Sequence, residues 1–296
     1  MSVQAQPQVV SREKLKGWCY GLAGMLMFSG GIPATRAAVL SLDPVFVGAA
    51  RALIAAALAL ALLWLTRQPI PTRQQWKGLT GVLAGAVMGY PLLSALALQQ
   101  MGANHGTLVS SVMPLFTAVF GAWLTKRWPK AGFWCCALAG TALVTGYALF
   151  SGDGRLHLAD LYLLLACLLC GYSYAQGAVL AKELGSWQVI CWALVMGIPL
   201  LLPLVCWYFP QELSAVSRSG WLGLAYLSIF SMFLGFFAWY KGLAMGGIAE
   251  VSQLQLLTPF VALFLAAVAL HETVSAAQLM LAGAVVGCIA LGRRFA

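Results

Sequence analysis

One hydrophobic unit is written twice in this chain, and an offset of 145 residues lays one copy on the other. Trp76, Gly78, Leu79, Gly102 and Pro114 fall on Trp221, Gly223, Leu224, Gly247 and Pro259, so the register crosses two apolar segments without a gap. A repeated unit of this length has to fold the same way twice. Each copy divides into five apolar stretches, and an odd number of membrane crossings sends the second copy through the bilayer upside down relative to the first. Inverted repeats of this kind enclose a binding site at mid-membrane, between the copies.

The bilayer is required by composition. Hydrophobic residues make up 61% of the chain, charged residues 8%, and the mean hydropathy is +0.87, a balance that no soluble core needs. A spanning helix takes about 20 apolar residues. The first copy supplies spans near 17–39, 44–65, 76–99, 104–125 and 131–150, and the second near 159–182, 187–209, 220–243, 248–270 and 275–292. The expected fold is therefore an all-α membrane protein whose ten transmembrane helices form two inverted five-helix repeats around a central cavity. Residues 17–150 are the first repeat and 159–292 the second; 1–16 and 293–296 are cytoplasmic tails, and 151–158 is a periplasmic linker. Asp43-Pro44 opens the second span, since proline suits a first helical turn and an aspartate caps its free amides.

The net charge of +9 is explained by topology rather than by nucleic acid. With the N-terminus inside, the inner segments hold most of the 17 lysines and arginines, and the outer segments hold only Arg36, Arg155 and Arg218. That bias predicts an inner-membrane, multi-pass protein with both termini in the cytoplasm. The eight cysteines lie in apolar spans and read as small packing residues; Cys167 and Cys170 have a C-x-x-C spacing that no second pair or adjacent histidine completes into a metal site. No cofactor or metal is expected. Gly81, Gly85 and Gly89 form a small-residue strip, as do Gly17/Gly21 and Gly283/Gly287, for close helix packing or for contact with a second copy in a homodimer.

A site on the axis between the copies should draw on matching positions of both. Thr107 and Ser110 lead into Pro114, and Ser252 and Gln255 lead into Pro259 at the same offsets. Steps of three keep each pair on one helical face, and a proline breaks the backbone ladder one turn later. The opposing reading is that these hydroxyls bond back to their own helices. Tyr90, Ser94, Tyr174 and Gln176 add polar groups in other spans, and Trp239, deep in the eighth, is the aromatic residue chosen for stacking on an organic substrate. Lys241 and Glu250 flank one turn and read as an ion pair or, for Glu250, as a proton-coupling group. His105 occupies the repeat position of Glu250 and reads as an outer-face hydrogen bond or a titrating group. Arg51, within the second span, snorkels, bonds to carbonyls or faces a wet cavity.

The order Pro44, Arg51, Ala55, then Pro114, then Pro259, Glu272, Gln278, Gly283 and Gly287 resembles the EamA-type ten-helix members of the drug/metabolite transporter superfamily. The resemblance covers nearly the whole chain. It implies an inner-membrane carrier with two five-helix bundles, a central cavity and, in many members, export of amino acids or related metabolites. Arg127 stands where the second copy has Glu272, so that acid has no symmetric role.

The expected function is a secondary transporter of a small organic metabolite, working by alternating access. No phosphate-binding loop signature is present, and no catalytic residue is assigned. The rival readings are an intramembrane lipid-processing enzyme, which needs a convergent nucleophile and base, and a lipid or polyprenyl carrier.

Overall fold

The computed structural model describes residues 6–151, 158–261 and 276–295, and all its regular elements are helical. In the first copy, α1 (Gln6–Ser29) and α2 (Gly31–Val39) follow one another, then α3 (Pro44–Leu65). The third span is compound: α4 (Arg73–Val82), a π-helical stretch Leu83–Gly89, and α5 (Tyr90–Gln100). So is the fourth: α6 (Ala103–Val109), a 3-10 turn Ser110–Val112, and α7 (Met113–Thr125). The copy closes with α8 (Ala131–Ser151). The second copy runs through α9 (Leu158–Leu184), α10 (Ser186–Trp207), α11 (Arg218–Tyr226), a π stretch Leu227–Leu234 and α12 (Gly235–Gly246). It continues with α13 (Ile248–Ser252), a 3-10 stretch Gln253–Leu257, α14 (258–261) and α15 (Ala276–Gly292).

The offset seen in the sequence is now visible in the backbone. Shifting by 145 carries α4 onto α11, one π stretch onto the other, α5 onto α12, α6 onto α13 and one 3-10 break onto its counterpart, each within a residue or two. The caps repeat as well. Thr72 accepts from Gln75 N–H in a capping box, and Ser217, its equivalent, accepts from Gly220 N–H at 3.1 Å. Asp43 caps α3 as its sequence suggests, accepting from Val45 N–H at 2.8 Å and Phe46 N–H at 3.1 Å. One expectation moves: α1 starts at Gln6, inside the segment read as a tail, and Pro7 at its first turn suits a helix start.

Among the described residues, six helical stretches are long and apolar enough to cross a membrane. The ninth expected span, 248–270, leaves the described residues after Val261, as do Glu272 and most of the 151–158 linker.

The copies interlock rather than sit side by side. The first helix of each packs against the third span of the other: α1 runs along α12, and α9 along α4, its π stretch and α5. Glycine makes both seams possible. A Cβ on Gly242 would come within 2.5 Å of the Gly21 backbone nitrogen, and one on Gly24 within 2.9 Å of Trp239 nitrogen. Gly81 and Gly85 face Tyr172, Leu169 and Ser173 of α9 in the same way. Without a hydrophobic drive in lipid, close van der Waals packing of this kind is what holds helices together. Gly283 and Gly287 differ, since a Cβ at either would meet nothing within 4 Å among the described residues.

Candidate functional site

A cavity lies between the copies, at the level where their helices lose α-helical regularity. Its walls include Ala86 and Ser231 from the two π stretches, and Ser110 and Gln255 from the two 3-10 breaks. Met113 and Thr258 stand where those breaks return to α-helix. Each of these is a pair under the 145-residue offset, so matching positions of both copies face one space. A π or 3-10 interruption takes backbone carbonyls out of the helical ladder, and such breaks recur at functional sites. The cavity volume is about 70 Å³, room for a few waters.

Arg51 projects into this space from α3. It is 3% exposed, and among the described residues it makes one hydrogen bond, from its Nη2 to Ser231 Oγ at 3.0 Å. Its Nε is buried and unpartnered. Its electrostatic neighbours are Tyr90, Tyr174 and Cys170, none with a formal charge. The cavity also has an aromatic wall. Phe28 stacks on Tyr174 with centroids 6.1 Å apart, and Phe236 meets both edge-on, at 5.2 Å from Phe28 and 5.8 Å from Tyr174.

Of the residues singled out from the sequence, Tyr90, Thr107, Ser110, Tyr174, Gln255 and Pro259 line the cavity. The others sit elsewhere. Thr107 and Ser252 also show the back-bonding that the opposing reading foresaw: Thr107 Oγ1 donates to Ala103 O at 2.8 Å, and Ser252 Oγ to Ala249 O at 3.0 Å and Pro114 O at 3.4 Å. Pro114 itself packs, buried, against the other copy's ninth span through that contact. Ser94 donates to Pro91 O at 3.4 Å. Gln176 lies against Gly78 of α4, away from the cavity. Trp239 is fully buried one layer behind the wall, 5.8 Å from Phe28 and 5.5 Å from Tyr174 between ring centroids. It braces the rings that line the cavity rather than lining it.

The ion pair expected between Lys241 and Glu250 is not formed. Gly242 faces the α1 seam, which turns its neighbour Lys241 outward over the Tyr20 ring at 4.3 Å. Glu250 pairs instead with Lys14 of α1, at 3.1 Å. At the opposite end of the bundle, His105 Nε2 lies 2.6 Å from Asp160 Oδ1 of α9. The two contacts are related by the repeat: His105 is the offset partner of Glu250, and Asp160 lies one residue from the offset position of Lys14. In each, the start of a fourth span is tied to the N-terminal half of the first helix of the other copy, with acid and base exchanged. The Lys14–Glu250 pair stands toward the end of the bundle that carries the start of α1, and the His105–Asp160 pair toward the other end; each is a latch between the copies.

Sequence reasoning left out Phe28, Thr35, Cys170, Ser231 and Phe236, all in the cavity wall, and weighed Arg51 without assigning it to the site. Two signals were available. Cys170 and Tyr174 are one helical turn apart, and Ser231 is the offset partner of Ala86. Among the described residues no group of three histidine, cysteine or acidic side chains is placed to hold a metal.

Residues 15–149 and 157–292 each match the EamA-like transporter family. The chain is 48% identical over 280 residues to a Bacillus subtilis (strain 168) protein named "Uncharacterized transporter YdeK", covering 95% of this chain and 98% of that one. It is 24% identical to "Uncharacterized transporter sll0355" of Synechocystis sp. (strain ATCC 27184 / PCC 6803 / Kazusa), across 87% of this chain and 83% of the relative. A solved crystal structure, 21% identical, superposes with a TM-score of 0.74 over 95% of this chain and 99% of its own, which shows a shared fold.

Proposed function

The chain belongs to the EamA-like transporter family and is a membrane transporter, and we propose that its cargo is a small organic metabolite, an amino acid or related compound. Transport is outward across the inner membrane, by exposing the central cavity to one side at a time. One observation carries this reading: three pairs of repeat-equivalent positions wall one cavity between the two copies. A site on the axis of an inverted repeat can be offered to either face by rocking one half against the other. The basic residues of the inner segments support cytoplasmic termini.

The latches supply the gates. Lys14–Glu250 holds the face of the termini shut, and His105–Asp160 holds the far face. Glu250 accordingly works as a gate partner. Gly283 and Gly287, which meet no neighbour among the described residues, leave room there for a second copy. The family is one of transporters, and the lipid-enzyme reading drawn from the sequence gains nothing from the site: His105 is committed to Asp160, outside the cavity wall.

The test is a thermal-shift screen of purified protein against amino acids, related metabolites and their toxic analogues, followed by flux in proteoliposomes. Saturable flux of a stabilising compound is the expected result. Stabilisation and competition by lipids alone would replace this reading with that of a lipid carrier.

A further inference from the structure

We propose that the cavity recognises its solute through a carboxylate held by Arg51. The inference rests on the transporter reading above and adds the chemistry of the cargo. A cation near the centre of a spanning helix costs about 2.5–3.5 kcal/mol on insertion scales, so a buried arginine is ordinarily paired or faces water. Arg51 lies two turns, about 10 Å, into α3 and has neither an acid partner nor a full set of hydrogen bonds among the described residues. The carboxylates of Glu250 and Asp160 are committed to the latches. The guanidinium of Arg51, a residue of the cavity wall, thus carries an uncompensated charge and an unpartnered Nε, and among the described residues the wall holds no acid.

Geometry narrows the ligand further. The planar guanidinium fork matches the two oxygens of a carboxylate, giving paired, charge-assisted hydrogen bonds. Ser231, by occupying Nη2, fixes the plane of the fork. Phe28, Tyr174 and Phe236 line the same cavity, which favours an apolar or aromatic body over a bare hydrated ion. The cargo is therefore a small organic acid, or an amino acid bound through its carboxyl end, and a cationic amine is excluded by the charge of Arg51.

Two matched series of probes test this, on the full chain in detergent and in proteoliposomes. One is phenylacetate, phenylacetamide and phenethylamine; the other is isocaproate, isocaproamide and isoamylamine. Each series keeps the body and changes the end from acid to neutral to cation, and chloride alone serves as the bare-anion control. The acids should stabilise the protein and the amides and amines should not. Arg51→Gln should weaken acid binding by about tenfold to hundredfold, and Arg51→Lys and Ser231→Ala by less, each by several-fold. Equal binding of acid and amide overturns the proposal, as does binding of chloride alone or of no acid at millimolar concentration. Should Arg51→Gln fail to fold, unchanged acid affinity in both Arg51→Lys and Ser231→Ala overturns it instead. Flux of neutral or cationic metabolites without acid binding would sink the carboxylate site and leave the transporter standing. Absence of saturable flux for every metabolite would remove the transporter reading itself.

Discussion

Gln255 and Gln176 carry the same amide, and the fold gives them opposite surroundings. Gln255 faces the cavity beside Thr258, whereas Gln176 rests on Gly78 of α4. Gln255→Ala should therefore weaken binding of a stabilising solute by about tenfold, the worth of one hydrogen bond, and Gln176→Ala should leave affinity unchanged in the same titration. Repeat symmetry made Gln255 and Ser110 readable from sequence, because an axis imposes equivalence on both copies. Gln176, Ser94 and Trp239 had only depth along the chain to recommend them. Depth does not fix the direction a side chain takes around its helix, and a rotation of about 100° per residue separates a cavity wall from a packed seam. Lys241 shows the same failure: its height next to Glu250 was right for a pair, and the glycine beside it turned it away.

Glycine seams and helix breaks decide how the elements meet. At Gly242 a larger residue has no space, since a Cβ already approaches the Gly21 backbone to 2.5 Å; at Gly102 a Cβ meets nothing within 4 Å among the described residues. Gly242→Leu should lower stability by about 1–3 kcal/mol, read as a reduced thermal midpoint in detergent, and Gly102→Ala should leave it near that of the parent. The seam was foreseeable from the spacing of Gly17 and Gly21, although its partner helix was not. The paired π stretches had no such signature. A π turn inserts a residue without changing which residue types are apolar, so hydropathy runs smoothly through Leu83–Gly89 and Leu227–Leu234. The proline pattern pointed to the fourth and ninth spans, and the 3-10 breaks do stand there, one residue or so before Pro114 and Pro259.

For the molecule entire, the inversion read from an odd number of spans explains features that no single helix could: interlocked first and third spans, a cavity walled by equivalent positions, and latches at opposite faces with acid and base exchanged. The latches could not be paired from sequence, because Lys14 and Asp160 meet their partners only once the copies interlock. Alternating exposure of the cavity is the central claim, and Cys170, buried in its wall, reports on it directly. In a variant retaining Cys170 as the sole cysteine, sealed proteoliposomes of known orientation would be treated with a small membrane-impermeant thiol reagent from one side or the other. Glu250→Gln should raise labelling of Cys170 from the face that carries the start of α1 and reduce it from the far face, and Asp160→Asn should do the reverse. Labelling that stays the same from both sides in all variants, or that rises from both sides together, would contradict a cavity offered to one side at a time.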